Sequence, residues 1–482
     1  MDILTVDFET YYDKDYSLSK MQTDAYINDA QFEIIGVAVV KNEEPAVWFS
    51  GSDLETIGWL NSNFDWENSA VRCQNTLFDG YILTQHCGIK PKLWMDTLCQ
   101  GRMLLPYLTS HSLANLVKQY NLPDKGTAVI KALGKRRNDF NPMELAEYGE
   151  YCKHDAWLCK ELGKKFDPFT PMLAMKLIDM TVRMFTEPML VGDQAKMKQL
   201  YDDEVKRKED LLQKAETNRD IIMSNDKFAE ALLALGVTPP MKQSKANPDK
   251  ETYAFAKSDK DFTDLQEHDD PDVQALVAAR LGVKTTIAET RALKFLETAK
   301  RGPLPVYLNF WGAKTTGRYS GGNSINWQNV PARGPSAGLR KALLAPSGHT
   351  VLVGDSSNIE LRTVMALSGQ DDVLDKLGAG VDLYCDFASK LFGRTITKAD
   401  KAERFLGKTA MLGLQYGAGA KRFQEMVRLA KRVDPSVELI DENRAHSIVD
   451  LYRSVHWKVV QLWKRCNDVI LPDIANGCTM LN

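Results

Sequence analysis

Val351-Leu352-Val353-Gly354-Asp355-Ser356-Ser357-Asn358-Ile359-Glu360-Leu361-Arg362 is the stretch on which the reading of this chain turns. An apolar run follows the turn signal Pro346-Ser347-Gly348, so residues 351–353 read as a buried strand that delivers Asp355 to its end, where a carboxylate can hold a metal. An aspartate after a strand is also an ordinary turn residue, and Asp355 alone does not separate the two readings. Its sequence neighbours do. Upstream stand Thr316-Gly317-Arg318, Asn326-Trp327-Gln328-Asn329-Val330-Pro331 and Leu339-Arg340-Lys341. Downstream stands Arg404-Phe405-Leu406-Gly407-Lys408-Thr409-Ala410-Met411-Leu412-Gly413-Leu414-Gln415-Tyr416-Gly417.

A chain of 482 residues with 44% hydrophobic content exceeds one ordinary domain and predicts roughly two to four. Lys and Arg total 61 against 64 Asp and Glu, so a net charge of −3 excludes global attraction to nucleic acid. Any nucleic-acid surface must be a local basic groove offset by acidic faces. The eight cysteines form no Cys-x-x-Cys and no Cys/His quartet, which argues against structural zinc or a disulfide framework and for reduced thiols. No charged leader precedes an apolar segment and no run reaches membrane-span length, so the expectation is a soluble cytoplasmic protein without a membrane partner.

The amino-terminal third sets carboxylates where a metal can gather them. Residues 2–8 read as a strand running into Asp7-Phe8-Glu9, and alternation along a strand puts residues 7 and 9 on one face. Two more strand candidates, 32–40 and 46–49, precede a helical stretch at about residues 53–60, an order that suits an α/β or α+β domain with a mixed sheet. Asp79 comes next, in Asn75-Thr76-Leu77-Phe78-Asp79. Tyr151 and Asp155, four apart in a helical pattern, stack on one helix face.

Asp7, Glu9, Asp79 and Asp155 thus form a candidate four-carboxylate cluster. Such acids raise one another's pKa values unless cations neutralise them, and hard divalent ions, Mg2+ or Mn2+, prefer oxygen ligands. Two ions can activate a water and stabilise the leaving 3′ oxygen of a phosphodiester, with the Tyr151 hydroxyl orienting the water. His154 faces another side of the helix and reads as a surface or supporting histidine. Lys131, Lys135, Arg136 and Arg137 suit either the phosphates of a single strand or a solvated loop.

The middle of the chain is less informative. Residues 171–190 are apolar and methionine-rich and suit packing of the first domain onto the next. Met197, Leu200, Tyr201, Val205, Leu211 and Leu212 recur at helical intervals, which predicts one long amphipathic helix over residues 196–223. Residues 237–270, with Pro239-Pro240, Asn247-Pro248 and lysines 242, 245, 250, 257 and 260 among aspartates, read as a mobile loop near a DNA backbone; residues 271–296 return to helix.

In order and spacing the later blocks resemble the family A DNA polymerases, most closely their bacteriophage members. The earlier acidic blocks resemble the three exonuclease motifs of the DEDD proofreading nucleases in the tyrosine subtype. The resemblance implies an α/β and α+β multidomain chain: a ribonuclease H-like 3′-to-5′ exonuclease domain at residues 1–165, a thumb with connecting helices at 166–300, the first part of a palm at 301–365 and fingers at 366–482. It implies that Asp355 holds two Mg2+ or Mn2+ ions and that Arg404 and Lys408 meet the incoming triphosphate, with Lys408 protonating the departing pyrophosphate. Glu360 would crowd the sugar and reject ribonucleotides, and Tyr416 and Gly417 would sit beneath the templating base. Thr316, Arg318, Gln328, Asn329 and Arg340 would contact primer and template, where donors aimed at the minor groove test acceptors common to every correct pair. Ser356 and Ser357 replace the tyrosine-serine often found in bacterial relatives. Leu412 stands where many relatives carry phenylalanine or tyrosine, which reduces stacking on the incoming nucleotide.

One expected element is missing: no His-Asp-Glu triplet comes after Tyr416. The resemblance therefore implies a chain incomplete at the C-terminus, either a truncated product or one half of a split polymerase completed by a second polypeptide. The expected activity is template-directed DNA synthesis with 3′-to-5′ proofreading, on primer-template DNA and deoxynucleoside triphosphates, in a bacterial host's cytoplasm if phage-encoded. Two alternatives stand beside it: a 3′-to-5′ exonuclease joined to a DNA-binding but polymerase-inactive region, and a non-catalytic replication scaffold.

Overall fold

Strand β1, Ile3–Thr10, is the centre of the first sheet. Leu4, Val6 and Phe8 enter the main hydrophobic core, whereas Thr5, Asp7 and Glu9 face the other way, as the two-residue period of a pleated strand dictates. In the computed structural model, which describes residues 1–126, 128–244, 247, 249–257, 259–332, 337–431 and 437–476, the sheet is mixed and runs β3-β2-β1-β4-β5. β2 (Ile34–Lys41) and β3 (Val47–Phe49) add antiparallel. β4 (Ala70–Cys73) and β5 (Leu93–Asp96), which sequence reading did not anticipate, add parallel. The expected helix after β3 is α1, Asp53–Asn63, and α2 is the short Thr76–Tyr81.

α3, Pro142–Phe166, covers the Asp7 and Glu9 face of the sheet. It starts where Asn141 accepts from the Met143 and Glu144 backbone N–H groups and Pro142 fits the first turn without an amide to satisfy. Cys152 and Ala156 pack on Ala38 and Val40, and Gly149 lies so close to the Trp48 ring that a Cβ would sit 2.7 Å from it. On the opposite face α4, Met172–Thr186, contributes Ile178, Val182 and Phe185 to the core that holds Leu4, Val6 and Phe8. The methionine-rich stretch thus completes the first sheet's core.

The helix expected over 196–223 is interrupted. α5 spans Gln194–Lys214; Glu216 then takes φ +45°, and the Asn218 side chain caps a new short helix, Arg219–Met223. A capping side chain offers the backbone an alternative partner, which overrides the apolar period. The described residues of the 237–270 stretch carry regular structure: β6 (Met241–Gln243) pairs with β7 (Glu251–Tyr253), and Phe255 and Phe262 are buried against Phe228. Buried aromatic side chains anchor this turn-rich stretch; Lys245 lies outside the described residues. α6 (Pro271–Val283), α7 (Ile287–Arg301) and a hairpin of β8 (Leu308–Ala313) with β9 (Arg318–Gly321) come next.

Residues 1–351 form one compact unit and residues 352–482 a second. The second is helical among its described residues. α8 (Ile359–Ser368), α9 (Leu383–Phe392), α10 (Lys401–Leu414) and α11 (Glu442–Val455) enclose Leu361, Met365, Phe387, Met411 and Tyr452.

The strand expected at 351–353 is absent. Val351, Leu352 and Val353 are 50%, 90% and 76% exposed and pair with no strand among the described residues. An apolar run becomes a strand only when a neighbour completes its hydrogen-bond ladder, and composition alone does not supply one. No helix among the described residues is long and apolar enough to cross a membrane.

Candidate active site

β1 and α3 bring the acids together. One oxygen each of Asp7 and Glu9 and the Cys152 sulfur lie within 4.8 Å of one another. Cys152 donates to the Asp7 carbonyl at 3.2 Å and to Asp7 Oδ2 at 3.4 Å, and burial raises its pKa. Sequence reading missed it, although it stands three residues before Asp155 on the same helix face. Also missed was Tyr148, whose hydroxyl donates to Glu9 Oε2. Asp79 enters from the first turn of α2, its Oδ1 accepting from the Phe8 N–H at 3.0 Å. Asp155 enters from α3: its Oδ2 lies 2.5 Å from the Lys125 ammonium, and its Oδ1 is buried without a hydrogen-bond partner.

The acids resist ionising together. Burial, then the Asp155 carboxylate, pushes Asp7 up to about 7. Burial, then Asp7, holds both Glu9 and Asp79 well above the usual carboxylate range. A buried, unpartnered carboxylate oxygen on Asp155 and the close oxygens of Asp7 and Glu9 are hard donors, and a divalent ion fits them. Tyr151, raised by burial and then by Asp155, stays a neutral phenol. Gly126 packs its backbone on that ring, where a Cβ would come within 3.0 Å of Cδ2.

Elsewhere in the first unit, His154 meets the Asp124 carbonyl at 3.1 Å and stacks on Trp157. Lys131, Lys135 and Arg136 are paired with Glu147, Glu144 and Glu33 on the surface, and the Arg137 backbone N–H donates to Glu33, which favours the solvated-loop alternative. A groove of about 630 Å³, lined by Asn75, Arg102, His111, Lys125, Asn309 and Lys314, opens beside the acids. Thr316 lies in the β8–β9 turn and Arg318 opens β9, Gln328 and Asn329 stand on a single turn anchored by Trp327 against Phe295, and Arg340 is on the short helix Gly338–Lys341; all five are exposed.

In the second unit Glu360 is in the first turn of α8. Arg404, Lys408 and Leu412 line the half-buried face of α10, opposite Leu406 and Ala410. Arg404 is held by Asp382 at 2.8 Å and lies 5.4 Å from the Tyr384 ring centroid. Tyr416 is not on that helix, which ends at Leu414 before Gly417 turns the chain at φ +79°. Its hydroxyl nevertheless donates to Glu360 Oε2 at 2.6 Å, so the turn and not the helical period joins the two. Asp355 is exposed and belongs to no group of three or more metal-ligating side chains among the described residues.

A mixed-sheet nuclease-type domain with a buried acid cluster, continued by a polymerase-type region, is the class this fold and site define. A family model described as 3′-5′ exonuclease matches residues 22–170, and one described as DNA polymerase family A matches residues 193–469. The chain belongs to DNA polymerase family A and carries an amino-terminal exonuclease domain. The exonuclease match begins after Asp7 and Glu9, so the assignment of that pair rests on the geometry of β1. A solved structure of the POL domain of Pol1 from M. smegmatis, in complex with DNA primer-template and dNTP, shares the fold with a TM-score of 0.66 at 18% identity, over 98% of this chain and 76% of that one. DNA polymerase I of Synechocystis sp. is 27% identical over 367 residues, 73% of this chain and 36% of that protein. DNA polymerase I of Chloroflexus aurantiacus is 35% identical over 151 residues, 31% of this chain and 16% of that protein. The chain therefore spans well under two thirds of the length of the Synechocystis and Chloroflexus DNA polymerase I proteins.

Proposed function

We propose that this chain shortens DNA 3′ ends at the Asp7, Glu9, Asp79 and Asp155 site and, through its later residues, holds primer-template and nucleotide for DNA synthesis with editing. The observation that carries the reading is the acid cluster itself: carboxylates raised by burial and mutual repulsion, with a buried Asp155 oxygen left unpaired. Asp7, Glu9, Asp79 and Asp155 would hold Mg2+ or Mn2+, two ions suiting the number of acids, and the ions would supply charge for water activation and for the leaving oxygen. Tyr151 orients the attacking water through its hydroxyl. The water oxygen bonds to phosphorus, the bond from phosphorus to the 3′ oxygen breaks, and a 5′-nucleotide leaves. Glu9 is suited to take the water's proton, and the departing 3′ oxygen acquires one from solvent. Amide and cationic side chains along the groove beside Lys125 suit the phosphates of a single strand.

For synthesis, Arg404 and Lys408 meet the triphosphate, and the Tyr416 hydrogen bond holds the Glu360 carboxylate where it crowds a 2′ hydroxyl. Thr316, Arg318, Gln328, Asn329 and Arg340 contact primer and template. Asp355 needs a second acidic ligand, supplied by further chain or by a second polypeptide. The exposed Asp355 segment also favours a second reading, a nuclease joined to a DNA-binding region that does not polymerise.

A labelled primer-template with Mg2+ tests both. The unmodified chain should shorten the primer and Asp7→Ala should lose that activity by a hundredfold or more; shortening that Asp7→Ala leaves intact refutes the nuclease site. With deoxynucleotides, Asp7→Ala should leave the primer at its starting length. Extension would show that Asp355 needs no second acidic ligand from elsewhere.

A further inference from the structure

Lys125 is a cation set inside the acid cluster. Its ammonium lies 2.5 Å from Asp155 Oδ2 and 5.4 Å from the Tyr151 ring centroid, and its charge acts on Asp7 and Glu9 as well. The side chain is 30% exposed and also lines the groove beside the cluster. Gly126 seats its own backbone on the Tyr151 ring. A lysine ammonium is a compact charge on a flexible four-carbon stem and can leave a carboxylate by rotating that stem, with no backbone movement.

A divalent ion that takes Asp155 needs the oxygens this carboxylate offers. Oδ1 is buried and unpartnered, whereas Oδ2 already carries an ammonium at hydrogen-bonding distance. Two cations cannot hold the same oxygen at full strength, because their repulsion across a few ångströms in a partly buried site offsets what each gains. We infer that Lys125 is the built-in counter-ion of the acid cluster, competing with the divalent ion for Asp155 and turning out into the groove when the ion binds. The competition is a consequence of the geometry; its bearing on strand shortening rests on the nuclease reading above. Lys125 acts here as a positioning residue, pairing with Asp155 until the ion arrives and setting the ion concentration at which it does.

Mn2+ titration by electron paramagnetic resonance of the unmodified chain and of Lys125→Met, with Asp7→Asn as background for ions bound elsewhere, reads the competition. Lys125→Met should bind Mn2+ at the cluster about tenfold more tightly at low ionic strength; unchanged or weaker binding overturns the inference. On the unmodified chain, acylation of the Lys125 amine followed by peptide mass spectrometry should run severalfold faster with Mn2+ than without, and equal rates overturn the inference even if Lys125→Met fails to fold. Absence of any Mn2+ binding that depends on Asp7 removes the nuclease reading and this inference together. Equal binding by both chains, with the unmodified chain still shortening primers, removes the lysine inference alone.

Discussion

Replacing Asp7 with asparagine should stabilise the first unit while silencing its chemistry, and the gain should grow with pH. Asp7 is pushed up to about 7 by burial and then by the Asp155 carboxylate, against an ordinary value of 3.8. Between those values the folded chain keeps a proton that the unfolded chain has released, so stability falls as pH rises through the window. Above pH 7 the accumulated cost is about three pKa units at 1.36 kcal/mol each, about 4 kcal/mol. Asp7 is half-buried, and the Cys152 thiol still donates to it, so about 4 kcal/mol is a ceiling. At pH 5 only the smaller part of it has accumulated. Asparagine keeps the shape and drops the charge, so the advantage of Asp7→Asn should widen by up to about 3 kcal/mol between pH 5 and pH 8. Urea unfolding in chelator, followed by tryptophan fluorescence, reads this, because Trp48, Trp59, Trp66 and Trp94 all lie in the first unit. Mn2+ should narrow the gap at pH 8, since a ligand at about a hundred times its Kd adds about 2.7 kcal/mol to the chain that binds it. An advantage that stays flat with pH, or a less stable Asp7→Asn chain at pH 8, would refute the account of the cluster as a set of ionised acids held against their preference.

Two further outcomes concern the second unit. His456 is buried against Tyr452, with ring centroids 4.4 Å apart, and burial lowers it from 6.5 to about 4. The unfolded chain therefore takes up a proton first, and stability present above pH 6.5 should drain away toward pH 4 by about 3 kcal/mol, a slope that His456→Gln should flatten in acid-unfolding titrations. At Gly407, a Cβ would lie 2.3 Å from the Tyr384 carbonyl oxygen between α10 and α9. Gly407→Ala should cost about 1–3 kcal/mol in thermal unfolding, whereas Gly378→Ala, with nothing within 4 Å, should cost nothing; equal effects would show that helix contact is not what the first glycine permits.

The parts legible in the sequence are those governed by a local period. Alternation marked β1 and the shared face of Asp7 and Glu9, and a spacing of four placed Tyr151 and Asp155 on one face of α3. β4 and β5 escaped because four residues carry too little pattern, and β4 contains Arg72, a charge that is buried only through its pairing with Asp167, just beyond the end of α3. Tyr148 and Cys152 escaped for the opposite reason: their residue types are core by default, and nothing in the chain says that their polar ends meet Glu9 and Asp7. Lys125 reaches Asp155 from a loop, where no period exists to read. The helix over 196–223 failed at Asn218, whose cap is a local competitor invisible to an apolar tally.

Asp7 and Asp355 look alike in sequence, each an acid at the end of an apolar run, and the structure separates them by what holds the backbone. β1 has a ladder on both sides, antiparallel to β2 and parallel to β4, so the Asp7 and Glu9 carboxylates are aimed before any ion or strand arrives. The Asp355 segment has no ladder among the described residues, and Leu352 and Val353 lie open to solvent. Burying those two side chains under a neighbouring strand would contribute about 1.5–3 kcal/mol each, besides the hydrogen bonds gained. Preorganised charge is what gives an active site its advantage over water, and fixing a carboxylate on a backbone without a ladder consumes part of that advantage as ordering entropy. On the proposed reading, hydrolysis at the first site would need only the ion, whereas chemistry at Asp355 would need both a second acid and a strand that pairs with residues 351–353.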